Sequence, residues 1–433
     1  MRQNLLETYK SQIRVAEGYA AKNFDGMQIS NTTKLNTAVV LDNTNRFLTE
    51  SIATERADLG DYKKFCLNLT NLVVPTLIAN NLVITHAMTS FSGSVAYLEY
   101  VSKSDKGDVK KGDLFNSVFG LGNMTEARRN FTSQVIIDTI AEDGGKLALT
   151  IMESGKFGED GKDAKVIKAD GNVEYLTKAE VEAYTFAKGD KVAYYSEEFQ
   201  MEHVPAQDIP TIGPVMKRIP LVAEPRRIAV RYDQITAFQA KTDYGFDLNK
   251  QIAEQACGEL AYEIDCDIVN MLKEAAEYRS ELVWSKTPGV GVSKFEHYNA
   301  FLEVLDTASA IIYNRTKKYS PNYVVCARDV ISVLRFVNGW KEAGNSKHAG
   351  PYKAGSVGEL DVYVSPDLEA GEYFVGLNGN DMMSSAGVFA PYMAIVPTQL
   401  LGTPDSGLAQ GFSTWYAKAI LNANLLVKGK IIA

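Results

Sequence analysis

Residues 242–279 read TDYGFDLNKQIAEQACGELAYEIDCDIVNMLKEAAEYR. Leu248, Ile252, Ala253, Ala256, Leu260, Ala261, Ile264, Ile268, Leu272 and Ala275 recur at helical spacing. Glu254, Glu259, Glu263, Asp267 and Glu274 fall on the opposite side. Asp247 is placed to accept a backbone N–H and cap the start. No proline falls between Pro225 and Pro288, and only Gly258 is a weak helix former. The pattern predicts one amphipathic core helix of about 30 residues, about 45 Å long. That exceeds the ordinary globular helix. Ala253, Ala256 and Ala261 sit among larger residues, so another element can approach closely.

Working outward, the 433 residues have room for two or three domains and a full core. The content, 45% apolar and 23% charged, is that of an ordinary globular chain. A net charge of -8 argues against direct gripping of nucleic acid, which needs clustered Lys and Arg. No apolar run is long enough for a transmembrane helix. The N-terminus lacks the apolar region of a signal peptide, so the five N-x-S/T matches are expected to be chance ones in an intracellular protein. Cys66, Cys257, Cys266 and Cys326 form no C-x-x-C pair. Cys257 and Cys266 point to opposite sides of one helix, so reduced, buried thiols are expected.

Residues 1–60 are polar and mixed in charge. They read as an N-terminal arm with too little apolar surface to fold alone: a helix near 3–20, an extended part, and a short helix near 44–56. After the apolar stretch around Pro75, SVAYLEYV (94–101) has strand composition. KSDKGDVKKGDLF (103–115) reads as an exposed, charged, hairpin-like projection. In 133–205, LALTIM, KVIKA and KVAYYS are short strands between Gly/Asp/Lys turns, which suggests a β-rich insertion. Five prolines in 205–225 favour an extended connection into the alternating strand RRIAVRYDQITAF (226–238). Beyond the long helix, 295–313 is helical, and NYVVCA (322–327), ELDVYVS (359–365) and GEYFVGL (371–377) are strands. Asp329 is expected to cap a helix running to Trp340.

Catalytic motifs are absent from the reading. Gly120-Leu121-Gly122 begins a dinucleotide-like pattern, but Thr125 replaces its third glycine. No phosphate loop occurs, and the four histidines match no zinc spacing. No catalytic, cofactor-binding or metal residues are assigned.

Three stretches together resemble the major capsid proteins of contractile-tailed bacteriophages. NLVVPTLIANNLVITHAMTSFSGSVAYLEY (71–100) resembles the start of that family's extended loop, with His86-Ala87-Met88 departing from the usual turn and Gly93 fitting it. The acidic helix after DYGFD resembles its spine helix. SAGVFAPYMAIVP with GFSTWYAKAI resembles its C-terminal signature, matching at Gly387, Phe389, Pro391, Tyr392, Gly411, Phe412 and Tyr416. Ala390 and Met393 depart mildly, and the glycine usual after Tyr416 is absent.

The resemblance implies an α+β, Hong Kong 97-type fold. Its parts are an arm (1–60), the start of a peripheral domain (61–90), an extended loop out (91–132) and back (206–238) around the insertion (133–205), a spine helix (239–290), an axial domain (291–385) and a closing segment (386–433). It implies a non-enzymatic subunit that self-assembles, as hexamers and pentamers, into the icosahedral shell around phage DNA. Portal, vertex, decoration or scaffolding proteins are implied partners, without sequence-specific nucleic acid binding or a membrane. The implied location is the virion, after assembly in the host cytoplasm. An encapsulin-like compartment shell and an α/β enzyme with an unrecognised site are the alternatives. In the resembled fold the extended loop overlies a neighbour's peripheral domain. Lys103, Lys106, Lys110, Lys111 and Asp113 on the loop, and Glu254, Glu259 and Glu263 on the helix, are therefore expected as subunit contacts.

Overall fold

The computed structural model describes residues 2–23, 29–51, 67, 73–74, 77–115, 126–146, 152, 155, 157, 161–197, 209–243, 245, 248–316, 318–343, 350–379, 381–398, 401–402 and 407–432. The chain opens with α1 (Arg2–Thr8), α2 (Lys10–Asn23), α3 (Asn31–Ser51), α4 (Ala79–Leu82), β1 (Ile84–Thr85) and β2 (Ser92–Ser102). There follow α5 (Glu126–Arg129), β3 (Val135–Thr139), β4 (Ala164–Ile167), β5 (Val173–Leu176), α6 (Lys178–Ala183) and β6 (Lys191–Tyr195). The return comprises β7 (Ile212–Val222), β8 (Glu224–Asp233), α7 (Gln234–Asp243) and α8 (Leu248–Ala275). Next come β9 (Glu277–Ser285), α9 (Lys294–Asn299), α10 (Phe301–Thr316), β10 (Tyr323–Cys326), α11 (Ile331–Leu334) and β11 (Trp340–Glu342). The last part holds β12 (Tyr352–Val357), β13 (Leu360–Val364), β14 (Glu372–Gly376), β15 (Gly387–Pro397), β16 (Leu401–Gly402), β17 (Gly407–Ile420) and β18 (Leu426–Ile432). The fold is α+β, as expected.

Two compact units form: Met1–Val95 with Arg218–Ala433, and Ala96–Lys217. In the first, a seven-stranded sheet runs β11-β12-β13-β10-β14-β18-β9. Its centre is wholly buried: Tyr323–Cys326 pairs parallel with β13 and antiparallel with β14. Such burial on both faces explains the unbroken apolar run YVVC. A second sheet holds β1, β15, β17 and β16, with β8 pairing along β17 from Asp233↔Gly407 to Glu224↔Tyr416.

The long helix is α8, 28 residues, somewhat shorter than the sequence suggested. Its predicted cap, Asp247, lies outside the described residues. Ala253, Ala256, Leu260, Ile264, Ile268 and Leu272 are buried in the main core with Phe389, Phe412 and Tyr416. Cys257 and Cys266 are both buried, although they point to opposite sides, because α8 is enclosed over more than one face.

Residues 29–51, expected to be partly extended, are helical from Asn31 and pack on their own unit. α3 is a 21-residue helix laid against β15. Val39 and Val40 pack on Val74, Ala87 and Ala394, and Leu48 on Met393 and Val396. Asparagines seal the contact: Asn36 Nδ2 donates to the Thr85 carbonyl (2.7 Å) while its oxygen accepts the Ala87 N–H (3.3 Å). Asn43 Nδ2 donates to the carbonyls of Met88 (2.7 Å) and Tyr392 (2.8 Å). Thus β15 is buried on one side by α8 and on the other by α3, and ten of its eleven residues are buried. Two further readings differ from the structure. The strand expected to run to Phe238 ends at Asp233 and gives way to α7. The helix expected from Asp329 to Trp340 is one turn, α11.

The second unit is built on the sheet β3-β6-β4-β5, with Ile136, Val166, Val181, Phe186 and Val192 in its core. Ser196 N donates to the Gln134 carbonyl (3.0 Å), so the two ends of this sheet's chain segment lie together. A capping box of Thr177 and Glu180 starts α6.

Leu48 is fully buried between Met393 and Val396. Leu48→Ala is expected to cost about 2–5 kcal/mol in urea unfolding of the subunit, the range for such cavities. A loose arm would show no change.

Candidate assembly surfaces and the joint behind them

The loop tip is stitched to the sheet of its own unit. Lys106 is 5% exposed, and its ammonium donates to the carbonyls of Asn130 (3.0 Å), Phe131 (2.9 Å) and Ser133. Burial pushes its pKa down to about 8. Gly107 holds φ +57°, and a Cβ there would stand 2.3 Å from the Ile137 carbonyl, so only glycine fits. Asp108 accepts from Thr139 N and Oγ1, both at 2.6 Å. Val109 is buried with Phe131, Ile137 and Ala193. Lys106 is therefore an internal fastener rather than a free contact residue, because three inward carbonyls outcompete solvent for it. Asp113 and Asp105 accept the backbone N–H groups of Lys110 (2.8 Å) and Lys111 (2.6 Å), which turns the lysine side chains outward. Lys103, Lys110 and Lys111 remain exposed.

The ribbon of β2 and β7 carries a second kind of surface. Lys217 reaches Glu99 (2.7 Å) on one face. By alternation, Leu98, Tyr100, Ile212 and Met216 share the other face, and all four are exposed.

On α8, Glu254 and Glu259 are exposed, whereas Glu263 is half-buried. Glu254 lies near enough to Tyr19 of α2 to help burial raise that phenol's pKa. Glu263 faces Arg226 (3.8 Å) within its own unit. The lower end of the helix holds a joint that the sequence did not single out. Asp267 accepts from the Tyr416 hydroxyl (2.8 Å) and from Lys418 (2.7 Å), and pairs with Arg226 (2.9 Å). The Arg226 guanidinium also stands over the Tyr416 ring (5.6 Å). Three elements, α8, β17 and β8, meet there. Because β8 continues β7 after Ala223 alone, this joint fixes the root of the ribbon's return strand to the long helix. The spacing of Asp267 to Tyr416 and Lys418 gave no signal, since the partners are about 150 positions apart in sequence.

The matched signature residues all serve this sheet. Gly387 leaves no room for a side chain without crowding Ala419 and Val83. Phe389 stacks obliquely on Tyr416 at 5.6 Å, and Phe412 is buried in the main core. Pro391 pairs with Tyr416 across the strands, and Tyr392 packs on Phe91 (4.3 Å). Gly411 exchanges bonds with Thr398: its N–H donates to the Thr398 hydroxyl (2.8 Å) and its carbonyl accepts the Thr398 N–H (2.7 Å). Among the described residues no three His, Cys, Asp or Glu side chains gather as metal ligands, and no helix is long and apolar enough to cross a membrane.

Two aspartates two positions apart on α8 titrate in opposite directions. Asp265 is buried and accepts the N–H groups of Ile78 (3.2 Å) and Ala79 (2.9 Å) at the start of α4. Desolvation raises its pKa to about 7, against the pull of those amides. Asp267 is desolvated too, but Lys418, Tyr416 and Arg226 hold it below the usual carboxylate value. A raised acid contributes most stability below the ordinary 3.8 and loses it as pH rises to about 7. A depressed acid contributes above the ordinary 3.8 and loses it as pH falls further. Urea unfolding across pH 3–8 is expected to show both limbs. Asp265→Asn should flatten the upper limb, and Asp267→Asn the acid one. The latter should also cost about 1.5–3 kcal/mol at neutral pH, as hydrogen bonds to charged groups do.

Comparison with known proteins bears on what these surfaces do. The family model for "Major capsid protein Gp23" matches residues 59–431. The chain is 21% identical to the major capsid protein of Escherichia phage AR1 over 393 residues, covering 82% of this chain and 74% of that one. It is 22% identical to the major capsid protein of Enterobacteria phage T6 over 222 residues, covering 46% of this chain and 44% of that one. The capsid of Myoviridae phage XM1 is similar in structure at 11% identity, with a TM-score of 0.33 over 52% of this chain and 78% of the other. The family match runs through both units, the long helix and the signature strands, so the chain belongs to the family of the major capsid protein Gp23, structural proteins of the phage head shell.

Proposed function

We propose that this chain is a non-catalytic shell subunit that assembles with copies of itself, as hexamers and pentamers, into the icosahedral head that encloses phage DNA. The family match carries the reading. The surfaces support it: a ribbon with an open apolar face is poorly explained in a lone subunit. Portal, vertex, scaffolding or decoration proteins are the further partners of such a shell, assembled in the host cytoplasm and retained in the virion. Net negative charge suits a container for DNA, because the wall then holds its contents without adhesion. The domain plan is proposed on the same footing: spine helix α8, extended loop β2 to β8 with an inserted β-rich module, and an axial domain over 291–385 that holds β10 to β14.

In this reading the exposed lysines of the tip, Lys103, Lys110 and Lys111, face carboxylates of a neighbouring copy, with Glu254 and Glu259 the accessible acidic pair on α8. Exposed pairs contribute only about 0–1 kcal/mol each. A shell repeats each contact many times, so weak pairs still set register and encounter rate. Electron microscopy of the purified chain tests the shell directly. Lys110→Glu with Lys111→Glu is expected to keep the circular dichroism of the wild type, lower particle yield, and leave wild-type assembly more salt-sensitive than that of the variant. Equal particle yields at every salt concentration would remove the electrostatic part.

A further inference from the structure

The sheet of the second unit runs β3-β6-β4-β5, and the chain closes the β3 edge itself. Along β3, Ile140 N donates to the Asp190 carbonyl (2.8 Å) and Ser196 N to the Gln134 carbonyl (3.0 Å). Ladder alternation then turns the main-chain groups of Ile137 and Thr139 outward. The loop tip takes the Ile137 carbonyl through Asp108 N (2.9 Å), and Thr139 N through the Asp108 carboxylate (2.6 Å). The opposite edge is β5, and no described strand pairs with its outer side. Lys168 N donates to the Asn172 carbonyl (2.8 Å), which sets the phase of that ladder. Val166 and Glu174 therefore face each other, and the N–H and C=O groups of Val173 and Tyr175 point away from β4. The side chains of the same two residues are exposed, 45% each. Natural edges are guarded by a charge, a proline or a bulge. β5 has no proline and no register shift, and its one charge is engaged within the sheet. The Glu174 carboxylate pairs with Lys168 (2.6 Å) and accepts the Tyr184 hydroxyl (2.9 Å).

We propose that β5 is a pairing edge for β5 of a second copy of this chain, the two strands lying antiparallel about a twofold axis at Glu174. The edge is complementary to itself. In that register Val173 of each copy stands opposite Tyr175 of the other, so the outward N–H and C=O groups of both residues find one another reciprocally. Each such pair also sets an aromatic side chain against a β-branched one, a favourable cross-strand combination. Glu174 meets its own copy at the axis, and like charges directly opposite ordinarily oppose pairing. Here Lys168, 2.6 Å away, neutralises each carboxylate. A strand of other sequence would meet the main-chain groups without both side-chain pairs. A self-complementary patch is also what a twofold contact between identical subunits requires. The contact rests on the shell reading above.

Disulfide trapping in oxidised shells reads the register. Glu174→Cys is expected to cross-link copy to copy, because residue 174 meets itself across a non-hydrogen-bonded pair, with Cα atoms about 4.5 Å apart. Val173→Cys should cross-link about tenfold less, since its Cα atoms would stand beyond the roughly 7 Å that a disulfide spans. The wild-type chain, with Cys257, Cys266 and Cys326 buried, is the blank. Hydrogen exchange gives a second readout: the amides of Val173 and Tyr175 are expected to exchange about tenfold or more slowly in shells than in unassembled subunits. Val173→Lys with Tyr175→Lys, at positions open to solvent, should keep the protection of β3, β4 and β6 and abolish that slowing. Shells in which Glu174→Cys cross-links no more than Val173→Cys, or in which residues 173 and 175 exchange as in the free subunit, overturn the pairing alone. So does slowing that survives the two lysines. Protection that arises only when other head proteins are added also overturns it, because the occupant is then not a second copy. A wild-type chain that forms no shells or oligomers overturns the shell reading and this contact together.

Discussion

Strand β15 has to be covered on both faces, and most of the first unit follows from that requirement. The run GVFAPYMAIVP offers no polar side to water. One face meets α8 through Phe389 and Ile395, within the main core. The other meets α3 through Ala394, Met393 and Val396. A long helix on one side alone would leave several apolar side chains wet, each worth about 1.5–3 kcal/mol when fully buried. The N-terminal helices are thus part of the subunit's own core.

This explains what was legible in the sequence and what was not. The long helix could be read because its apolar positions keep a strict period over seven turns. β10 could be read because burial on both faces leaves an unbroken apolar run. The packing of α3 on β15 was not legible because it buries polar residues. Asn36, Thr37, Asn43 and Thr44 are all buried, and composition counts them as solvent-facing. Their cost is offset by bonds to the sheet's edge and to the helix's own carbonyls, as for Thr37 to Thr33 and Thr44 to Val40. No local pattern announces a side-chain amide matched to a backbone 49 positions away.

The candidate surfaces follow the same division. Lys103, Lys110 and Lys111 read as exposed charges and are exposed. Lys106 has the same residue type in the same short stretch, yet three carbonyls draw it inside. The difference lies in the turn: Gly107 and Asp108 dock on β3, and the side chain before them is carried inward. Charge counting along a loop cannot separate those cases. Glu254 and Glu259 keep their exposure on α8, while Asp267, on the same acidic stripe, is spent on holding Tyr416, Lys418 and Arg226.

That last contrast separates cohesion from assembly. Groups that fasten the subunit are half-buried or buried and have specific partners: Asp265 at α4, Asp267 at β17 and β8, Lys106 at the turn after α5. The groups proposed above to meet other copies, Lys103, Lys110, Lys111, Glu254 and Glu259, are exposed. A closed shell needs this arrangement. Strong internal joints keep every copy the same shape, so that one contact geometry recurs around the surface. Weak external contacts let a misplaced copy leave before the shell closes over it, since dissociation rate falls steeply with contact strength. The end of β8 and the start of α7 place a fixed joint and an open surface close together in sequence. At Arg226 the strand is fixed by a charged joint to the long helix, and a few residues on, at Ile235 and Phe238, the same segment presents bare apolar side chains.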